Sequence, residues 1–104
     1  MREAGEFTII GFVPQRRDTI AALRLAREVD GQWIYVGKVG TGFANAVSED
    51  LRRKLDGLKA VNPPMRLPRK PGTVWVTPKL RAAIDYSGMT DEGKLRHPSF
   101  KGLV

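Results

Sequence analysis

Few residues of this chain are of a type and spacing that could do chemistry, and the first are the glycines and lysine of Gly37-Lys-Val-Gly-Thr-Gly42. Glycines where a strand turns into a helix let backbone N–H groups approach a phosphate, so such a corner can cradle a nucleotide. The spacing argues against that use. A Walker loop places four residues between its first glycine and Gly-Lys-Ser/Thr, and the dinucleotide fingerprint reads Gly-x-Gly-x-x-Gly. Gly37 to Gly42 matches neither, and reads as a structural corner whose backbone goes where a Cβ would obstruct it. His97 is the only histidine and stands between Arg96 and Pro98, with no carboxylate or nucleophile spaced to partner it. It reads as a surface or packing residue rather than a general base. The absence of cysteine excludes disulfides and thiol catalysis, and one histidine leaves no zinc cluster. The acids are scattered, without a metal-binding group or an acid/base pair. No catalytic residue, metal or cofactor is assigned.

What remains is charge. The formal net charge is +7, but nine basic residues between Arg52 and Arg81 face a single acid, Asp56, so that segment alone carries +8. Such an excess suggests a surface for a polyanion, because each neutralised phosphate releases condensed counterions. Nucleic acid is the favoured partner, although basic patches also serve acidic proteins and membranes. The residues expected to touch it are Lys38, Arg52, Arg53, Lys59, Arg66, Arg69, Lys70, Arg96 and Lys101. Lys38 stands out because it adjoins the glycine corner. Aromatic residues are interleaved with these cations: Trp33 and Tyr35 share one face of a strand, while Trp75, Tyr86 and Phe100 lie elsewhere. In a chain of 104 residues a tryptophan is more often core than platform, and Phe43 and Phe100 are assigned to packing.

The elements that must position these groups follow from periodicity. Phe7 to Val13 is rich in β-branched and aromatic residues and reads as a strand buried on both faces. Thr19 to Val29 has helix-like composition, yet Asp30-Gly31 after it is a hairpin signal that wants a strand on each side. Trp33 to Val39 is the next strand. From Ala44 the apolar positions Val47, Leu51, Leu55 and Leu58 recur at helical spacing, with Glu49 and Asp50 near the start and Arg52, Arg53 and Lys54 later, in accord with the helix dipole. Asn62 to Gly72 holds four of the seven prolines and reads as an extended loop. Thr73 to Thr77, Leu80 to Tyr86 and Lys94 to Phe100 are further strands, the last entered through a turn at Thr90 to Gly93. Three early strands, one helix and two or more late strands give the order β-β-β-α-β-β, that of a five-stranded OB-fold barrel, mainly β, with one helix between strands 3 and 4. Residues 1–104 are expected to form one such domain, its ordered core spanning about 6–103. No apolar run approaches the ~20 residues of a membrane span, and the start of the chain lacks a signal-peptide core, so a cytoplasmic location and no membrane partner are expected.

Two stretches, Tyr35-Val-Gly-Lys-Val-Gly-Thr-Gly-Phe43 and Gly93-Lys-Leu-Arg-His-Pro-Ser-Phe-Lys-Gly-Leu103, closely resemble the C-terminal domain of bacterial ATP-dependent DNA ligases, above all the ligase D type of non-homologous end joining. The resemblance runs from about Glu6 to Leu103. It implies an OB barrel that closes over nicked DNA, chiefly along backbone and minor groove, and a bacterial, nucleoid-associated protein of DNA repair. Lys54-Leu-Asp-Gly57 matches the Lys-x-Asp-Gly of the adenylated lysine of that family, but it falls within the predicted helix of the OB domain, whereas the family's nucleophile lies in a preceding nucleotidyltransferase domain. The match reads as coincidence. The family's basic phosphate motif follows the Phe-x-Gly-Leu segment, and here only Val104 follows; Ala83 and Met89 stand where a glutamate and a tryptophan are common.

The resemblance thus implies a stand-alone, non-catalytic DNA-contacting module, on nicked or double-stranded DNA or, through its aromatic face, single strands. It would work beside a separate ligase nucleotidyltransferase domain or an end-binding protein. The alternative is a protein-interaction module that docks such a partner without binding DNA itself.

Overall fold

The computed structural model describes residues 2–104. Its backbone is one long strand, β1 (Glu3–Gln15), from which the other elements hang. Along one edge it pairs antiparallel with β2 (Thr19–Val29) from Thr8 to Gln15. Along the other it pairs first with β5 (Arg81–Tyr86), from Glu3 to Thr8, and then with the short β4 (Val74–Trp75) at Gly11 and Phe12. Register shifts between Ile9 and Gly11 and between Val13 and Pro14 bend the strand around the core, as bulges do. Ile9, Ile10 and Phe12 are all fully buried, which accounts for an apolar run without alternation.

Thr19–Val29 is a strand, in accord with the turn signal rather than with its helix-like composition. Asp30 and Gly31 both take positive φ, 52° and 79°, the backbone of a two-residue hairpin turn, and lead into β3 (Gln32–Val39). The pairing with β3 and β1 buries Leu23 and Leu25 on the core side. Tertiary pairing outweighs helix propensity here, because both neighbours of β2 need its backbone hydrogen bonds.

The helix α1 (Asn45–Asp56) buries Ser48, Leu51 and Leu55. Val47, expected on this face, is 40% exposed, and Ser48 takes its place. The Ser48 hydroxyl accepts from the Ile20 amide at 2.9 Å and donates to the Ile20 carbonyl at 3.4 Å, so a polar side chain ties the helix to the first residues of β2. Glu49 and Asp50 lie beyond the first turn, which carries no acid, while Arg53 and Lys54 occupy the last turn as expected. Leu58, past the helix, packs partly buried against the core.

The main sheet runs β3-β2-β1-β5-β8, with β4 beside β1 and β8 spanning Ser99–Leu103. This is an OB-fold-like, mainly β architecture with one helix between β3 and β4. It departs from a five-stranded closed barrel in having six strands and no continuous ladder between its edges. The chain just beyond β3 instead meets β8 where the Phe100 amide donates to the Thr41 carbonyl at 3.0 Å. The predicted strand Lys94 to Phe100 is divided. β7 (Leu95–Arg96) pairs with β6 (Gly88–Met89), then His97 at φ 50° and Pro98, which has no N–H, interrupt the chain before β8.

Gly42, at φ 95°, lies so close to this seam that a Cβ there would stand 2.7 Å from the Phe100 nitrogen and 3.1 Å from its carbonyl carbon. At Gly40 the nearest atom to such a Cβ is the Ala21 carbonyl oxygen at 3.4 Å, an ordinary contact. Gly42→Ala is therefore expected to destabilise by about 2 kcal/mol or more and Gly40→Ala by less than about 1, read by urea denaturation.

Candidate nucleic-acid interface

The cations of α1 are largely engaged within the helix and its cap. Lys54 Nζ lies 2.9 Å and Arg53 Nη2 3.0 Å from the two oxygens of Asp50, and Lys59 Nζ 3.5 Å from Asp56. The hydrogen bond from Lys54, then its charge and the contacts of Arg53, hold the Asp50 carboxyl below its ordinary value. Arg52 is bound further. Its Nε sits 3.1 Å from Asp56, its Nη1 donates to the Thr19 carbonyl at 2.9 Å, and its guanidinium lies 5.2 Å from the centre of the Phe12 ring. With its side chain 15% exposed, Arg52 joins helix to sheet. Lys54, of the Lys-x-Asp-Gly stretch, is an ion-pair partner on this same helix.

Lys38 and Lys101 come together elsewhere. They line a groove of about 640 Å³ with Arg2, His97, Thr41 and Ser99, and no acidic side chain among the described residues lines it. The seam positions them: besides the Phe100–Thr41 bond, the Thr41 hydroxyl donates to the Pro98 carbonyl at 3.0 Å. Arg2 donates to the carbonyls of Asp85 and His97 at 3.0 and 2.8 Å, which holds the start of β1 across the β7–β8 connection. His97 Nδ1 lies 3.1 Å from the Ser87 hydroxyl. Lys101 reaches the Asp85 carboxylate only at 3.8 Å. Arg2 carries no sequence signal, since it sits outside the basic segment and any motif.

A second gathering surrounds Tyr35. Lys70 and Lys94 place their ammonium groups 4.7 and 5.5 Å from its ring centre, and Arg24 Nη1 donates to its hydroxyl at 3.0 Å. Arg24 and Lys94 escaped the sequence reading because both lie outside the basic segment, and only the fold brings them to Tyr35. Arg66 and Arg69 are exposed on the loop before Lys70, and Arg96 is exposed on β7. Trp33 borders a groove of mixed charge with Glu6, Glu28, Arg27 and Arg81. Trp75 lies over Gly11, where a Cβ would stand 2.9 Å from its ring. Phe43 and Phe100 pack against each other at 5.0 Å. No group of three or more potential metal ligands occurs among the described residues, and no helix among them is long and apolar enough to cross a membrane.

The family model for the ATP dependent DNA ligase C terminal region matches residues 16–103. The multifunctional non-homologous end joining protein LigD of Pseudomonas aeruginosa is 34% identical over 107 residues, which cover 94% of this chain and 13% of that protein. Its counterpart in Mycolicibacterium smegmatis is 36% identical over 73 residues, 66% of this chain and 10% of the relative. The crystal structure of the ligase domain from M. tuberculosis LigD superposes with a TM-score of 0.89 at 28% identity, covering 99% of this chain and 35% of that one. A mycobacterial DNA ligase D complexed with ATP and MES gives 0.84 at 29% identity over 98% of this chain and 34% of its own. The chain thus spans about an eighth or less of the curated relatives' length.

The placement of the helix cations separates two kinds of variant. Arg52→Ala removes a carbonyl bond, an ion pair and a ring contact together and is expected to cost about 1–2 kcal/mol, whereas exposed Arg53→Ala should stay within about 0.5. Thermal or urea unfolding of the two variants checks this; equal stabilities would mean that Arg52 does not join helix to sheet.

Proposed function

This chain belongs to the family of ATP-dependent DNA ligase C-terminal regions, of the ligase D type, and we propose from that premise that it grips the DNA backbone as a non-catalytic part of such a ligase. The observation that carries the reading is the groove in which Lys38, Lys101 and Arg2 converge without an acidic side chain among the described lining residues. Point charges on flexible stems suit phosphates along a backbone more than base edges, which need fixed bidentate geometry. Lys38 and Lys101 each lie in one of the two stretches that carry the family resemblance. Exposed Arg66 and Arg69 extend the contact, and Arg96 lies one residue before His97 of the groove. Paired as they are, Arg53 and Lys59 add less, and Arg52 supports the fold.

The working site is the bacterial cytoplasm, on nucleoid DNA at breaks or nicks, and the partner domain is the nucleotidyltransferase part of a ligase. Chemistry belongs to that domain; this one holds the duplex in place for it. The one hydroxyl paired with an imidazole among the described residues, Ser87 with His97, is exposed at the surface.

Fluorescence anisotropy with nicked, blunt duplex and single-stranded DNA at two salt concentrations tests the proposal. Binding should favour nicked or duplex DNA and fall steeply with salt. Lys38→Ala/Lys101→Ala should weaken it by roughly tenfold at moderate salt and reduce the salt slope by about 1.8, some 0.9 for each lost phosphate contact. A preference for single strands would instead make the aromatic face the binding platform, and no binding at low salt would leave a protein-docking role in its place.

A further inference from the structure

The half-buried cations at Tyr35 differ from those of the helix in one respect: among the described residues no carboxylate pairs with Arg24, Lys70 or Lys94. Arg24 has only neutral partners, donating from Nη1 to the Tyr35 hydroxyl at 3.0 Å and from Nε to the Thr73 hydroxyl at 3.1 Å. Arg24, Tyr35, Lys70 and Lys94 are all half-buried, so water compensates their charge incompletely. The stem of Lys94 lies along Gly37, where φ is 108° and a Cβ would stand 3.7 Å from the Lys94 Cβ. Lys94 is therefore held at the ring by packing, and Arg24 by its hydrogen bonds.

We propose that Arg24, Tyr35, Lys70 and Lys94 form a phosphate seat of their own, in which Tyr35 is a scaffold for cations rather than a platform for bases. The hydroxyls of Tyr35 and Thr73 each accept from Arg24, which leaves their own protons to donate. With two ammonium groups and the rest of the guanidinium, the cluster offers donors and almost no acceptor. A phosphodiester oxygen, acceptor only and anionic, completes it. Attraction to the ring offsets part of the repulsion among the three cations, and a bound anion removes the remainder. An acidic side chain would satisfy the donors too, but the cluster is not isolated. Arg24 and Lys38 are partners in the β2–β3 register, so the seat adjoins the groove of Lys38 and Lys101. A track of this kind suits a polymer of regularly spaced anions.

The inference rests on the DNA-binding reading, and the test separates the two. Binding of a duplex and of an abasic strand of equal length is measured across salt concentrations for the parent, Tyr35→Phe, Lys70→Ala/Lys94→Ala and Lys38→Ala/Lys101→Ala. Tyr35→Phe keeps the aromatic face and loses the hydroxyl that holds Arg24; it should bind three- to tenfold more weakly. Lys70→Ala/Lys94→Ala should lower the salt slope by about 1.8. The abasic strand should bind the parent as well as a strand with bases.

Tyr35→Phe binding like the parent, with the abasic strand bound tenfold more weakly, would overturn the seat in favour of base stacking. An unchanged slope in Lys70→Ala/Lys94→Ala, with loss in Lys38→Ala/Lys101→Ala, would overturn the seat and leave the groove standing. Should Tyr35→Phe fail to fold by circular dichroism, the lysine pair decides. Displacement of DNA from the parent by polyglutamate, but not from Lys70→Ala/Lys94→Ala, would make the seat one for acidic protein. A parent that binds no DNA would end both readings.

Discussion

The contact on which this structure most depends is the approach of two backbones, Gly42 against Phe100. Neither edge of the main sheet finds a partner strand along its length, and the two are joined by the Phe100–Thr41 hydrogen bond, the Thr41–Pro98 bond and the packing of Phe43 on Phe100. Only a residue without Cβ allows this approach, and φ at Gly42 is positive as well. The seam does more than close the fold. It sets the end of β3, with Lys38, beside β8, with Lys101 at its middle, and so makes a basic groove from residues far apart in the chain. The glycine corner thus acts through packing, as its spacing implied, and bears on the basic groove only indirectly.

Electrostatics then sorts the cations into two populations. Those on α1 occur at helical spacing from Asp50 and Asp56, and ion pairing there reduces their field at a distance without adding much stability. Those gathered by sheet pairing, at the groove and at Tyr35, have few or no carboxylates within reach among the described residues. A high net charge along a segment does not by itself give an attractive surface; what attracts a polyanion is charge left uncompensated in three dimensions. The basic stretch between Arg52 and Arg81 includes the ion-paired cations of the helix and leaves out Arg2, Arg24 and Lys94.

The local elements were legible because each has a local cause. Asp30-Gly31 specified a hairpin and thereby the strand state of Thr19–Val29 against its composition; the spacing of Leu51 and Leu55 specified the helix; and the order of elements specified an OB-like fold. The family was legible in two motifs, because both serve the seam: one holds Gly42, the other Phe100. Tertiary structure alone decided the rotation of the helix, in which Ser48 replaces Val47 because the Ile20 backbone offers it both a donor and an acceptor. It alone divided β7 from β8, where His97 takes a left-handed conformation, and left the sheet open at its seam. And it alone chose which cations stand free, since whether a lysine meets a carboxylate or a tyrosine depends on strand register and loop path, long-range matters that residue spacing along the chain does not encode.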